Sequence, residues 1–243
     1  MQFNTYDPED FYDELFAAKN QPRPEAAFLV KTINSLPQGE IQRRQQEAEN
    51  TLLQRGVTFR VSSDDSQDAE RIFPLDTIPR IISAQEWAYL EQGLKQRVYA
   101  LNLFLADVYH EQKILKDYVI PREIVESGDG FLKPCLGLHP PGGVWCHITG
   151  SDLVRDRDGQ WYVLEDNLRI PSGISYVLEN RRVMKSTFPE LFRNMGIQPV
   201  DHYPSRLLET LLHVMPAQLP DPSLVVLTTG INNSAYFEHG FLA

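Results

Sequence analysis

The stretch between residues 147 and 173 concentrates side chains that suit a divalent cation and phosphate. Glu165 and Asn167 lie two residues apart near the end of a predicted strand, so both point to the same face. Arg169 follows two residues later, and a guanidinium can hold phosphate oxygens in a bidentate fork. Asp152 lies on the preceding predicted strand. Because Mg²⁺ prefers carboxylate, phosphate and water oxygens, this spacing predicts a metal–phosphate site.

A β-hairpin is the element that must position these side chains. VWCHITGSDLV and WYVLED both have strand patterns, and Asp158-Gly159 between them is typical of a hairpin turn. A tight turn would bring Asp152 opposite the end of the second strand. Asp166 faces away from Glu165 and is predicted to be solvated or ion-paired. The turn charges are also predicted to lie outside the site: Arg155, Asp156, Arg157 and Asp158. The spacing leaves a second interpretation open, a surface hairpin whose charges have no function.

The first 120 residues are predicted to be mainly helical. Asp7-Pro8 before an aromatic run is typical of a helix start. The segment GEIQRRQQEAENTLLQRG is rich in helix formers and ends at a glycine suited to a C-terminal cap. The clearest helix spans about residues 84–111, where Ser83 and Glu86 form a capping box. Residues 57–63, VTFRVSS, alternate apolar and polar side chains and predict a strand.

The C-terminal half is predicted to combine short helices with the opening of an α/β unit. Helical patterns follow residue 173 and recur in PSRLLETLLHVMP. DPSLVVLTTG then predicts a short apolar strand, and NNSAYFEHGFLA predicts a helix start. We therefore predict an α+β fold in three parts. A helical region (1–120) packs with an antiparallel sheet that carries the metal motif (121–220), and the start of an α/β unit (221–243) follows.

Composition excludes several classes of protein. With 42% hydrophobic residues in a chain of 243, a packed core is expected and general disorder is excluded. A formal net charge of −10 argues against a non-specific nucleic-acid binder and against a polybasic membrane-surface protein. The first residues lack the pattern of a secretory signal, and no run approaches the roughly 20 apolar residues needed to span a bilayer. We predict a cytoplasmic protein without nucleic-acid or membrane partners.

The order of these motifs resembles a known enzyme family. Asp152, a hairpin, Glu165-x-Asn167-x-Arg169 and a small-residue loop are similar to the magnesium-binding end of the ATP-grasp ligases. A longer part of the sequence closely resembles the circularly permuted ATP-grasp type 2 family. It comprises ITGSDLVRDRDGQWYVLEDNLRIPSGISYVLENRR and, further on, DHYP and LTTGINNSAYFEHGFLA. That similarity covers roughly residues 57–243.

The resemblance implies a role for each motif residue. Asp152, Glu165 and Asn167 would hold Mg²⁺ bound to ATP. Arg169 would contact the transferring phosphate or an acyl phosphate, and the Ser172-Gly173 loop would approach the bound substrate or nucleotide. The implied activity is an ATP-dependent ligase that joins a small-molecule or peptide-like carboxylate to an amine or a thiol.

The resemblance also implies that further sequence is needed. In the permuted family the ATP-cradling lysines and the glycine-rich lid follow the magnesium motif, beyond the segment that begins LVVLTTG. The chain is therefore expected to be the N-terminal portion of a longer enzyme. An alternative from a different class stays open, a non-catalytic interaction or scaffold protein that keeps the fold without ATP turnover.

Overall fold

The computed structural model describes residues 3–61, 69–215 and 222–243. The predicted division between the second and third parts, at residue 220, lies outside these residues. The first elements are a small antiparallel pair, β1 (Phe16–Ala18) and β2 (Gln21–Pro22), followed by helices α1 (Ala27–Ser35) and α2 (Glu40–Gln54). Helix α2 ends where its sequence predicts, just before Gly56, which adopts the positive φ of +65° that glycine tolerates.

The prediction of a helix that starts at Asp7-Pro8 is wrong. The Asp7 carboxylate instead accepts a hydrogen bond from the backbone of Glu9, two residues on. The Asp13 carboxylate likewise accepts from the backbone of Leu15 at 2.8 Å and of Phe16 at 2.7 Å. Short acidic side chains that bond the neighbouring backbone in this way compete with the helix, and here they form turns that lead into β1.

The middle of the chain is organised by one long helix. Strands β3 (Thr58–Val61) and β4 (Ala69–Ile72) pair antiparallel, and then α3 (Ala84–Tyr109) runs for 26 residues. Its predicted capping box is confirmed: the Ser83 hydroxyl accepts from the Glu86 backbone, and the Glu86 carboxylate accepts from the Ser83 backbone at 3.1 Å. Two short helices follow, α4 (Lys113–Lys116) and α5 (Arg122–Glu126).

The described residues of the C-terminal half contain the predicted hairpin and four α-helices. The hairpin consists of β5 (Gly150–Arg155) and β6 (Trp161–Asn167). The helices are α6 (Ile174–Thr187), α7 (Pro189–Asn194), α8 (Tyr203–His213) and α9 (Tyr236–Leu242). Residues 222–230 of the strand predicted in DPSLVVLTTG form no ladder within the described part of the chain. Val225 and Leu227 in this segment are 80% and 86% exposed.

Two apolar clusters fix the position of α6. The first joins α1 to the α6–α7 junction, where Leu29, Ile33 and Phe188 have no exposed surface. The second joins α2 to α6 through Leu52 and Val183. Because α6 packs in both clusters, with Tyr176 in the second, its first turn lies against the core, one short loop after the hairpin.

The described residues combine helices with three small antiparallel sheets of two strands each, which is compatible with the predicted α+β class. Within the described residues, no helix is both long enough and apolar enough to cross a membrane.

Candidate magnesium and phosphate site

The hairpin register places the predicted ligands together. Asp152 pairs directly with Glu165, and Gly150 pairs directly with Asn167. Directly opposed residues of an antiparallel pair point to the same face. Asp152, Glu165 and Asn167 therefore share one face at the end of the hairpin that is remote from the turn.

A β-bulge is responsible for this arrangement. Leu153 pairs with Val163, while Asp152 pairs with Glu165, so Leu164 is an extra residue on β6. A regular register continued from the turn would place Leu164 opposite Asp152 and would turn Glu165 to the other face, because side chains alternate with a period of two. The one-residue bulge shifts the register and brings the carboxylates onto one face.

The shared face is open to solvent. Asp152, Glu165 and Asn167 are all exposed, and so is the bulge residue Leu164, at 69%. The Asn167 amide nitrogen donates to a Glu165 carboxylate oxygen at 3.1 Å, which orients the Asn167 carbonyl oxygen away from that bond. Asp152 has no hydrogen bond or ion pair with any residue that the structure describes.

This donor set fits Mg²⁺. Two carboxylates and one amide oxygen supply the hard ligands that Mg²⁺ takes from a protein, and the open face leaves room for phosphate oxygens and water. No cluster of three or more His, Cys, Asp or Glu side chains suited to a metal occurs within the described residues. A metal ion bound at this face would therefore need the Asn167 amide oxygen as its third protein ligand.

Asp166 lies on the opposite face and anchors the hairpin, so of its two predicted states, solvated or ion-paired, the structure shows the ion pair. Its side chain is 7% exposed and accepts from the Arg97 guanidinium on α3 at 2.5 Å. The Ser151 hydroxyl donates to its other oxygen at 2.7 Å. Because both oxygens of this buried carboxylate are bonded, Asp166 fixes strand β6. Glu165 and Asn167 are its two neighbours on that strand.

Arg155 anchors the other end of the hairpin. The sequence predicts a turn charge here, but the side chain is only 11% exposed and ion-pairs with Glu86 at 2.5 Å. The guanidinium also stacks over the rings of Tyr12 and Trp161, with 4.0 and 4.8 Å to the centroids. Burial alone opposes ionisation of Glu86, but hydrogen bonds from Ser83 and Arg155 outweigh it and lower the pKa of this carboxyl.

The loop after β6 has an unusual backbone. Ile170 adopts a φ of +43°, which is strained for a β-branched residue, and its side chain is 85% exposed. Pro171 packs so closely on Gly150 that a Cβ added there would lie 3.0 Å from the proline ring. Arg169 is exposed and has no ion pair or hydrogen bond with any described residue, so its guanidinium is available to an anion.

The loop ends at the N-terminus of α6, where a buried carboxylate from α9 binds it. Gly173 adopts a φ of +110°, and its N–H donates to both oxygens of Glu238, at 2.8 and 2.9 Å. Ser175 donates to Glu238 through its backbone and its hydroxyl, at 3.0 and 2.6 Å. Ser172 is exposed beside this contact.

Sequence reasoning missed the bulge, the Arg97 and Arg155 anchors, and Glu238. No local pattern marks Glu238, since its partners lie 65 and 63 residues earlier. The bulge has no distinct signal in the sequence either, because adjacent apolar residues occur on both strands, Leu153-Val154 on β5 and Val163-Leu164 on β6.

Known proteins are similar to this chain over its full length, but the chain spans only part of each. A protein of unknown function from Synechocystis is 63% identical over the whole chain, which covers 50% of that protein. A Mycobacterium tuberculosis protein is 44% identical over 99% of the chain, and 44% of that protein is covered. A Frankia casuarinae protein, named provisionally as glutamate–cysteine ligase 2-2, is 40% identical over 96% of the chain. Only 27% of that protein is covered.

The family assignment rests on a match that includes the hairpin, the Arg169 loop and helices α3 to α9. The model of the family called "Circularly permuted ATP-grasp type 2" matches residues 79–243, which is more than half of the chain. The chain belongs to the circularly permuted ATP-grasp type 2 family.

Proposed function

We propose that this chain supplies the magnesium-binding part of an ATP-dependent ligase that joins a carboxylate to an amine or a thiol. The observation that carries the proposal is the bulged hairpin, which gathers Asp152, Glu165 and Asn167 on one open face. Family membership supports ATP and Mg²⁺ as the reactants to test first.

Each residue has a defined role in this proposal. Asp152, Glu165 and Asn167 hold Mg²⁺ through their oxygens. ATP with Mg²⁺ would transfer its γ-phosphoryl group to the carboxylate, with ADP as the leaving group, and so form an acyl phosphate. The amine or thiol would then attack the acyl carbon and displace phosphate. Arg169 contacts the transferring phosphate and offsets charge that develops on it. The Ser172-Gly173 loop borders the site and approaches the substrate or nucleotide.

We infer that the ATP-cradling groups lie in sequence beyond these 243 residues. The Synechocystis and M. tuberculosis relatives are about twice as long as the part that this chain matches. In this proposal the helical region, the hairpin region and the C-terminal segment are the N-terminal portion of that longer enzyme.

The substrate class follows from the proposed chemistry rather than from the relatives. A carboxylate and an amine or thiol, small or peptide-like, are the reactants of an acyl-phosphate ligase. Glutamate and cysteine are one pair to test because of the Frankia name, but that protein is matched over 27% of its length only. We further propose a cytoplasmic enzyme without nucleic-acid or membrane partners, and a net charge of −10 supports the second part because it opposes non-specific binding to polyanions.

The metal site can be tested on the 243-residue chain with Mn²⁺, followed by the loss of its free-ion EPR signal. Asp152→Asn, Glu165→Gln and Asn167→Ala should each weaken Mn²⁺ binding by roughly tenfold or more, because each removes one of three protein ligands. Asp156→Asn is the matched control: it removes the same charge from the exposed turn of the same hairpin. Equal effects of Asp152→Asn and Asp156→Asn would show a general charge effect and contradict the site.

The reaction can be tested in a chimera in which these 243 residues replace the matching segment of the Synechocystis relative. ADP release is measured with pairs of carboxylates and amines or thiols. Glu165→Ala and Asn167→Ala should abolish turnover, while Asp156→Asn should retain it. A chimera that folds but releases no ADP with any pair would favour the scaffold alternative.

A further inference from the structure

Glu238 is a buried carboxylate whose binding partners all lie at the edge of the candidate site. Its side chain belongs to a residue that is 4% exposed, and Ser175 beside it has no exposed surface. Its two oxygens receive hydrogen bonds from the Gly173 N–H, the Ser175 N–H and the Ser175 hydroxyl. Every one of these contacts donates toward Glu238, so the geometry requires an acceptor at both oxygens.

The charge of Glu238 is balanced by the helix itself. No Lys, Arg or His within the described residues forms an ion pair with it. Gly173 and Ser175 lie at the first turn of α6, whose N–H groups have no partners inside the helix and carry the positive end of its dipole. A carboxylate bonded there satisfies the orphan donors and is itself stabilised by them.

The Gly173 contact closes a six-residue loop at its far end. The near end is fixed at Asn167 by pairing with Gly150, and the middle is wedged by Pro171 against the same glycine. Between these points Ile170 is held at a positive φ that a free loop would abandon. The strained backbone at Ile170 is thus restrained on both sides. The pairing of Asn167 restrains the residues before it, and the hydrogen bond from Gly173 to Glu238 restrains the residues after it.

We propose that Glu238 is a positioning residue of the ligase site, because its carboxylate fixes Gly173 and Ser175 and so sets the conformation of the loop that carries Arg169. This inference rests on the proposed function. Glu238 does not touch the reacting atoms. It acts through the backbone of residues 168–173, and it makes the hairpin site dependent on α9.

The alternative is that Glu238 only attaches α9 to the core. Its neighbour Phe237 already packs on Tyr176, at 5.3 Å between ring centroids, so α9 has an apolar attachment of its own. An attachment role predicts a general loss of stability when Glu238 is changed. A positioning role predicts effects confined to the loop and to Arg169.

Hydrogen–deuterium exchange on the 243-residue chain separates these roles. Glu238→Gln keeps the shape but can offer only one acceptor oxygen, so exchange in peptides spanning 168–176 should rise by about tenfold, as expected for orphan N–H groups that lose a charged acceptor. Glu179→Gln is the matched control: Glu179 is also a buried carboxylate, on α6 itself, and it binds Arg55 and Arg182 away from the loop. This control should leave the loop peptides unchanged. Ser175→Ala, which removes one donor, should give a smaller rise.

Turnover by the chimera then tests coupling to Arg169. Glu238→Gln should lower kcat by about tenfold in the wild-type background and by less than about twofold beside Arg169→Ala, because a positioning effect disappears with the residue positioned. Additive losses of kcat in the double variant, or unchanged hydrogen–deuterium exchange in the loop, would overturn the positioning role of Glu238. Neither result would contradict the proposed function. A wild-type chimera without turnover would overturn the proposed function and this inference with it.

Discussion

The role of the bulge at Leu164 can be tested with two variants that each make the hairpin regular. They differ in which side chains at the end of the hairpin face the solvent. Deleting Leu164 gives a regular hairpin in which Asp152 still faces Glu165 on the open side. Inserting one alanine between Asp152 and Leu153 also gives a regular hairpin, because the alanine pairs with Leu164. In that variant Asp152, Glu165 and Asn167 turn inward and Asp166 turns outward.

The expected magnitudes follow from the contacts on each face. Leu164 is 69% exposed, so its deletion should change the free energy of unfolding by less than about 1 kcal/mol. The alanine insertion removes both bonds to the buried Asp166 carboxylate. Breaking a buried pair costs about 3–5 kcal/mol, and because the Arg97 side chain is 46% exposed we expect this loss alone to cost about 2–3 kcal/mol. Turning the Asp152 and Glu165 carboxylates inward adds a desolvation cost, so the total loss should exceed that figure.

Urea denaturation and Mn²⁺ EPR measure the two consequences separately. The deletion variant should bind Mn²⁺ within about threefold of wild type, since its three ligands keep their common face. The insertion variant should bind no Mn²⁺ at concentrations that saturate wild type. A folded deletion variant without Mn²⁺ binding would refute the reasoning, as it would show that the bulge shapes the ligands rather than only selecting their face.

Two further predictions concern stability. The pKa of Glu86 is lowered from its ordinary 4.5, so its contribution is full above that pH and is lost as the pH falls through the folded-state value. In urea titrations, the stability difference between wild type and Glu86→Gln should therefore shrink below pH 4.5, and a constant difference would contradict it. Phe188→Ala should lower the free energy of unfolding by about 3–5 kcal/mol, since Phe188 has no exposed surface. Phe11→Ala, at a side chain 75% exposed, should change it by less than about 0.5 kcal/mol.

Local sequence patterns predicted the elements whose determinants are local. The α3 capping box, the C-terminal glycine after α2 and the Asp158-Gly159 hairpin turn each depend on residues a few positions apart, and each is present in the structure. The helix after Asp7-Pro8 failed for a local reason as well. Helix-start signals and Asx turns use the same residue types, and only the hydrogen bonds of Asp7 and Asp13 distinguish them.

Contacts between distant segments could not be predicted. Arg97 and Asp166 are 69 residues apart, and each resembles an ordinary surface charge in the sequence. The α/β unit predicted at residues 221–243 stays a prediction, because a strand requires a partner and residues 222–230 have none within the described chain. The roles of Asp152, Glu165, Asn167 and Arg169 are likewise proposals that the placement supports.

The Glu238–Gly173 contact has a consequence for the order of assembly. It closes a segment of 65 residues, and bringing the ends of such a segment together costs on the order of 4 kcal/mol of chain entropy. Synthesis at about 5–20 residues per second separates the two residues by roughly 3–13 seconds on the ribosome. The hairpin can therefore pair during translation while the residue that closes its loop has not yet been made, and the Arg169 loop takes its final shape only after α9 emerges and docks.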